Sequence, residues 1–459
     1  MIVIMSATQQ LARHICATDY ENLPSDVIET AKWFLLDTFG AAWAGTDAPG
    51  AEELRRTVFS DCGDGDASVL ATQKRVPPGS AALLNGMYAG ALDYDGVYEK
   101  GSVHPDVVTF PAALALAEAQ RASGRDFLTA LAIGNDIACR SGGAMVANNG
   151  WFNTATHGVF GAAAAAAKLL GLDEEATAHA LGLAFAQASG TQQALAEKSI
   201  VKRMLSGLAA RAGVFAAQAA KNGITAPREV FEGKYGFYAL YGKGEPTALL
   251  DGLGEHYVTT NTVTKKYPSC TANHVAIDAA LTLANEHDLK YRDIDAITVT
   301  ISPFMDSLVG GTFDAGSNPQ VAAQFSIQYS IACAIQRRQL SIAEIQPDVI
   351  ADPEINALLK KIKVIVEPEW PGKFAPCDLE ILARDGRRLT HHASHTPGTP
   401  ENPMSMGDLK AKFSDCASSG VNPMSIDQCN NAIKTILAIE TVKDMAEALD
   451  FGSTVIPDR

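Results

Sequence analysis

Cysteine is present but unpatterned. The eight residues Cys16, Cys62, Cys139, Cys270, Cys333, Cys377, Cys416 and Cys429 are scattered and form no C-x-x-C pair. This signals neither a zinc site nor a disulfide framework, and the expectation is a reduced, cytosolic-type protein. Positive charge is also scarce: 37 Lys and Arg stand against 52 Asp and Glu, a net charge of −15. A general nucleic-acid binder or a binder of anionic membranes needs basic surface, so both classes are disfavoured. A local basic pocket for a small anion is still compatible with that balance. Long apolar runs are missing. The most apolar segment, residues 158–172, contains the alanines from Ala162 to Ala167 but is interrupted by Lys168 and is too short to span a bilayer. The N-terminal Met-Ile-Val-Ile-Met is too short for a signal h-region and lacks a basic flank. A soluble, cytoplasmic protein with no membrane partner is expected.

Motif signatures are missing as well. There is no G-x-G-x-x-G after a strand, no G-x-x-x-x-G-K-[ST], no H-E-x-x-H and no G-x-S-x-G. Asp93-Tyr94-Asp95 does not open an EF-hand loop, because the twelfth position is His104 and not Glu. His391, His392 and His395 lie close together, but no nearby carboxylate or thiol in the sequence completes a metal set. No metal and no cofactor are expected.

What is there reads as an ordinary globular chain: 459 residues, 47% hydrophobic and 19% charged. At about 100–200 residues per domain, two or three domains are expected. Pro24-Ser25-Asp26 starts a helix over 24–45. Further helical spacing covers 48–58 and 79–92, with a turn-rich stretch at 61–80. Residues 107–223 stay helical and rich in Ala and Gly, over 110–122, 127–146, 159–170, 173–188 and 204–222. Near residue 258 the texture changes. Strands are predicted at 295–302 and 361–366, and a hairpin at 377–382 and 388–394 across Arg384-Asp385-Gly386. Helices are predicted at 272–286 and 321–336, with another opened by a capping box at Ser341 and Glu344. The Pro-rich stretch 397–403 reads as a linker, and helices return at 407–417, 425–438 and 440–449. The expected fold class is therefore mainly α. It comprises a large helical domain (1–258), an inserted smaller α+β domain (259–396) and a helical tail (397–459) that can rejoin the first domain.

Four stretches could carry chemistry. In 85–105, Asp93 and Asp95 flank Tyr94 and precede His104; two acids and an imidazole fit an acid/base site, or a capped turn with a loop histidine. In 197–207, Lys198, Lys202 and Arg203 stand at a predicted helix start. Cations there oppose the helix dipole unless an anion binds, the alternative being a solvated charged turn. In 265–274, Lys265, Lys266, Tyr267, Cys270 and His274 offer anion binding and proton transfer. Cys270 fits a packed thiol better than a nucleophile, and His274 can equally cap or pack. Phe325 and Tyr329 share a helix face, as core residues or as a functional hydroxyl.

In order and spacing, these stretches resemble the MmgE/PrpD family, which includes 2-methylcitrate dehydratase, cis-aconitate decarboxylase and iminodisuccinate epimerase. The resemblance runs nearly end to end. It rests on Leu36-Asp37-Thr38-Phe39-Gly40, Asn85-Gly86, Asp93-Tyr94-Asp95, His104-Pro105, the stretch from Thr156 to Gly171, and Lys202-Arg203-Met204-Leu205-Ser206-Gly207. It continues in Lys265-Lys266-Tyr267-Pro268-Ser269-Cys270 with His274, Phe325-Ser326 with Tyr329, and Asn402-Pro403-Met404. The resemblance implies a large all-helical domain completed by the C-terminal helices (397–459), with a smaller α+β lid domain (259–396) inserted, and a homodimer with a cofactor-free site between helical domain and lid. It also implies small di- or tricarboxylate substrates and a site lined by Asp93, His104, Lys202, Lys265 and Tyr329. Tyr94, Phe152, His157, Arg203, Tyr267, Cys270 and His274 are the further candidates for binding substrate.

The implied activity is that of a dehydratase-type lyase (a hydro-lyase) working by proton abstraction next to a carboxylate. His104 is the base, and Asp93 orients it or acts as acid on a leaving hydroxyl. Lys202, Lys265 and Arg203 stabilise the carbanion, and Tyr329 donates from the opposite side. Reprotonation on the other face would make an epimerase, an isomerase reaction, and loss of CO₂ a decarboxylase. The sequence also departs from the family pattern. Gly90 stands where many members have His, Gly96 and Val97 where Asp and Thr are usual, and Phe152 where a site His is usual. His157 falls five residues later. These departures leave room for a non-catalytic carboxylate-binding homologue, and a non-enzymatic scaffold is the remaining alternative.

Overall fold

The computed structural model describes residues 5–449. These residues form two compact units, one running to Thr262 and resuming at Leu409, the other Val263–Asp408. The protein is mainly α, with 20 α-helices and only small sheets among the described residues.

The first unit is helical because its sequence supplies caps, helix formers and small contact residues. Ser6 and Ser123 make capping boxes with Gln9 and Asp126, opening Ala7–Ala17 and Gly124–Gly143. The helix Ser25–Gly45 is buried over most of its length. Its Phe39 stacks on Phe413 (ring centroids 6.3 Å) and meets Phe110 edge-on at 6.2 Å. Phe413 belongs to the helix Met406–Ala417, and Trp43 Nε1 donates to the Asn422 carbonyl at 2.9 Å. The C-terminal helices thus complete the core of the first unit.

Two close crossings determine how the site elements lie. Pro78–Ala91 packs on Val201–Lys221 where Gly86 meets Gly207: a Cβ on Gly207 would stand 2.1 Å from the Leu83 carbonyl oxygen. Gly124–Gly143 crosses Asn153–Leu169 where Gly134 meets Gly161, and a Cβ on Gly161 would stand 2.4 Å from the Gly134 oxygen. Small residues let these backbones approach closely, and any side chain there would separate the helices.

The second unit has a four-stranded sheet. Its spatial order is Ile362–Val366, Ile294–Ile301, Cys377–Ala383, Arg388–Ala393. The first pair is parallel, with Val299 opposite Val364; the others are antiparallel, with Val299 opposite Leu379 and Leu379 opposite His391. Ile297, Val299 and Ile301 are buried in the alternation a half-buried strand requires, and Ile294 is buried out of phase with them, beyond a register shift between Ile294 and Ala296. The helix Thr271–Glu286 packs on this sheet.

Three local expectations are corrected. The predicted helix over 321–336 is two helices, Pro319–Gln324 and Ile327–Arg337, because the Ser326 hydroxyl accepts from Tyr329 N and starts a new helix. The Ser341–Glu344 bonds form, but they open only the 3-10 turn Ala343–Ile345, which Pro347 ends. The stretch 397–403 is a closed turn rather than a linker: Thr264 N donates to the Gly398 oxygen, and Gly398 N to the Asn402 oxygen.

Candidate active site

The loop after Pro78–Ala91 carries the chemistry of the first unit. Asp93 takes a left-handed backbone (φ 54°), a conformation that Asp tolerates better than most residues. Its Oδ1 lies 2.7 Å from Lys202 Nζ, and both side chains are largely buried. Lys202 is in the first turn of Val201–Lys221. The Gly86–Gly207 crossing thus determines how the acid at the end of one helix meets the ammonium at the start of the next. Arg203 is buried and donates to the Pro49 oxygen at 3.2 Å. Burial pulls its guanidinium down to about 10, opposed by the Asp93 charge, so it is cationic at neutral pH.

Asp95 sits two residues on, and its Oδ2 lies 2.6 Å from His104 Nδ1. The carboxylate bonded to His104 is therefore Asp95; of the two roles expected of Asp93, orienting His104 or acting as acid, the first falls to Asp95. An ionised carboxylate accepts only, so toward Asp95 it is Nδ1 that donates, which leaves Nε2 for proton transfer. The His104 side chain is 20% exposed and the Asp95 side chain 4%.

The intervening loop is closed by a bridge in which Tyr98 and Val103 exchange backbone bonds of 2.8 and 3.2 Å. It packs on the end of Gly124–Gly143: a Cβ on Gly142 would stand 2.4 Å from Val103 Cγ2. Asn153 donates to the Gly101 oxygen at 2.7 Å, and His104 N donates to Thr154 Oγ1 at 3.2 Å. His104 is thus held on both the main-chain and the side-chain side.

Gly90 has a packing explanation. A Cβ there would stand 2.8 Å from Ser206 Oγ, which itself donates to the Gly86 oxygen. A larger residue would have to displace this hydroxyl from the helix crossing. Val97 is buried.

Sequence reasoning missed a buried cluster below the loop. Lys412 Nζ lies 2.5 Å from Asp37 Oδ1, donates to the Tyr94 oxygen at 2.6 Å, and sits 4.0 Å from the centre of the Tyr94 ring. Asp37 lay within a quoted motif, whereas Lys412 carried no sequence signal. Asp106, in the helix Asp106–Ala119, is a second omission. It is buried and accepts from Asn135 Nδ2 at 2.6 Å. Burial, with Asp37 and Asp95 adding to it, pushes its carboxyl up to about 7.

Phe152 caps the helix Asn153–Leu169, and its backbone N donates to the Gly190 oxygen. His157, one turn on, is fully buried. Its Nδ1 lies 2.7 Å from Ser141 Oγ, and its ring meets Phe237 edge-on at 5.0 Å. Burial pushes its pKa down to about 3, so this imidazole is neutral.

In the second unit, Lys265 is buried. The Tyr267 hydroxyl donates to Asp278, which also pairs with Lys266 at 3.0 Å. The Tyr267 ring meets His274 at 5.3 Å, and His274 Nε2 lies 3.2 Å from the Ser269 oxygen. The Gln324 oxygen accepts from both Cys270 N (2.9 Å) and Asn273 Nδ2 (3.0 Å), pinning this loop to Pro319–Gln324. Tyr329 is buried, stacks on Phe313 at 5.4 Å and gives its hydroxyl proton to the Glu344 oxygen. Burial drives its phenol far above the usual range, so its hydroxyl stays protonated.

On the outer strand, His392 Nδ1 lies 2.6 Å from Asp378 Oδ1. A carboxylate does stand beside the histidine cluster, supplied by the neighbouring strand. Among the described residues, no three His, Cys, Asp or Glu converge as a set that could hold a metal ion. No helix among them is long and apolar enough to cross a membrane.

A mainly helical fold whose one loop carries a carboxylate–imidazole pair and a second carboxylate paired with a helix ammonium has the equipment of an acid/base catalyst. The particular family follows from comparison: residues 9–250 match the MmgE/PrpD N-terminal domain and residues 267–437 the MmgE/PrpD C-terminal domain. The chain belongs to the MmgE/PrpD family. It is 27% identical to a cis-aconitate decarboxylase-like protein of Aspergillus oryzae, covering 97% of this chain and 96% of that protein. It is 27% identical to the cis-aconitate decarboxylase of Aspergillus terreus (95% and 93% covered). It is 25% identical to that of Mus musculus (97% and 92% covered).

Proposed function

We propose that this protein is a cofactor-independent lyase acting on a small di- or tricarboxylate at the carbon next to a carboxylate. The observation that carries the reading is the 2.6 Å bond from His104 Nδ1 to Asp95, which orients the ring and leaves Nε2 for proton transfer. In the dehydratase form, His104 Nε2 takes the α-proton and the electron pair moves onto the carboxylate as an aci-carboxylate. The β-hydroxyl then leaves as water with a proton from the Asp93–Lys202 pair. Lys202, Arg203 and Lys265 are assigned the stabilisation of the developing charge. Tyr94, Phe152, Tyr267, Cys270, His274 and Tyr329 are assigned to substrate contact. Because its proton goes to the Glu344 oxygen, the Tyr329 hydroxyl is assigned here as an acceptor, in place of the donor the family resemblance implied. His157, neutral and packed on Phe237, supports the shape of the first unit in this reading.

The named activity of the relatives favours a second form, decarboxylation of a cis-aconitate-like acid. There, protonated His104 delivers its proton to carbon as the bond to the departing CO₂ breaks. Both forms share the dyad and the cations. The reading also takes the second unit, the sheet and helices over Val263–Asp408, as a lid, and the protein as a cytoplasmic homodimer.

The test is incubation with citrate-, aconitate- and aspartate-like acids in deuterated water, followed by NMR. Wild type is expected to convert at least one of them, and His104→Gln to slow conversion by about 10²–10⁴-fold. Release of water without CO₂ marks the hydro-lyase, and release of CO₂ with one deuteron in the product marks the decarboxylase. No exchange or product from any acid, or unchanged turnover in His104→Gln, would sink the reading.

A further inference from the structure

We infer that Lys412 is a positioning residue for the acid/base loop: its ammonium clamps Tyr94, and through Tyr94 sets the directions of both Asp93 and Asp95. The inference rests on the assignment of His104 as the acid/base group. The contacts are a 2.6 Å bond to the Tyr94 carbonyl, a 4.0 Å approach to the Tyr94 ring centre and a 2.5 Å ion pair with Asp37.

Tyr94 is the single residue between the two acids. Asp93 reaches Lys202 at 2.7 Å, and Asp95 reaches His104 at 2.6 Å. Holding the middle residue by both its carbonyl and its ring leaves its neighbours little rotational freedom. Gripping at one end would not do this, because Asp93 stands at φ 54°, where a small backbone rotation redirects everything that follows. The clamp is itself rigidly held: the Lys412 side chain is 3% exposed and the Asp37 side chain fully buried. Phe413, the next residue, is stacked against Phe39.

A buried ion pair is weak evidence for stability, since a well-packed apolar pair often replaces it at no cost. What an apolar pair cannot supply is the donor to the Tyr94 carbonyl. The placement of this charge is therefore better explained by the loop it holds than by the fold.

The double variant Asp37→Asn, Lys412→Met separates the two explanations, because it removes both charges and leaves neither unpaired. Histidine side-chain ¹⁵N NMR, with His104 assigned by comparison with His104→Gln, reads the ring tautomer without needing a substrate. The double variant is expected to keep its melting temperature within a few degrees. Its His104 signals should shift from Nδ1-protonated toward mixed tautomers. Turnover should fall about 10–100-fold, with KM changed less than about threefold, the signature of a displaced base. A folded double variant with the wild-type His104 tautomer overturns the proposal. If the methionine variant does not fold, Asp37→Asn, Lys412→Leu, which likewise offers the Tyr94 carbonyl no donor, is read by the same criterion. Failure of the proposed function shows differently: the tautomer shifts as expected, yet wild type turns over no acid.

Discussion

His104 and His157 are bonded through the same ring nitrogen at nearly the same length, 2.6 Å to Asp95 and 2.7 Å to Ser141. Their surroundings differ in charge and in exposure. His104 stands, partly exposed, on a loop with Asp93 and Asp95, the former paired with Lys202. His157 stands in an aromatic cluster with Phe160, Phe231 and Phe237, fully buried. A hydrogen bond alone therefore does not distinguish a chemical histidine from a structural one. The charge of its partner and a route for a proton do.

The largest effect that sharpens this contrast concerns Asp106, two residues after His104. Its folded pKa, about 7, lies above its unfolded value of 3.8. Below about pH 4 both states hold the proton and nothing is lost. Between about pH 4 and pH 7 the unfolded chain releases the proton and the folded chain keeps it, so the fold is progressively destabilised as pH rises. By about pH 7 the accumulated cost has an upper limit of about 4 kcal/mol. Asp106→Asn keeps the acceptor for Asn135 and removes the titration. It should raise the melting temperature at pH 7.5 and leave it nearly unchanged at pH 4. An equal gain at both pH values would remove Asp106 from the ionisable acids of this region.

The next effect is on the charged side of the contrast. Lys202→Met is expected to weaken the binding of any carboxylate substrate or product about 10–100-fold by calorimetry. Affinity equal to wild type would end its assignment as an anion contact.

The smallest effect is on the apolar side. The folded pKa of His157, about 3, lies below its unfolded value of 6.5. Stability is therefore lost as pH falls below about 6.5, by about 2 kcal/mol at pH 5. His157→Asn, which can keep the Ser141 bond, should flatten the denaturation midpoint between pH 6.5 and 5. His14, held down to about 4 by burial, leaves a residual slope in the same direction. If His157→Asn instead abolishes turnover while leaving that pH dependence intact, the two histidines are not the different kinds of residue their surroundings indicate.

The sequence alone determined the local features. Starts such as Pro24-Ser25, helical periodicity and β-branched alternation settled most elements to within a few residues. The order of its short motifs settled the family. Some local signals were present but unread, among them the Ser6–Gln9 box that opens Ala7–Ala17. Other features could not be read locally. Acids two residues apart look alike in sequence, and only the folded loop, left-handed at Asp93, shows that Asp93 reaches Lys202 while Asp95 reaches His104. Lys412 is 318 residues from Tyr94, and no periodicity links residues so far apart. Gly90 reads as a lost polar group until the helix crossing shows that Ser206 occupies the space. Caps and periodicity act through bonds between near neighbours, so they are written in the sequence. Which buried charge meets which depends on how helices cross, and only the tertiary structure decides that.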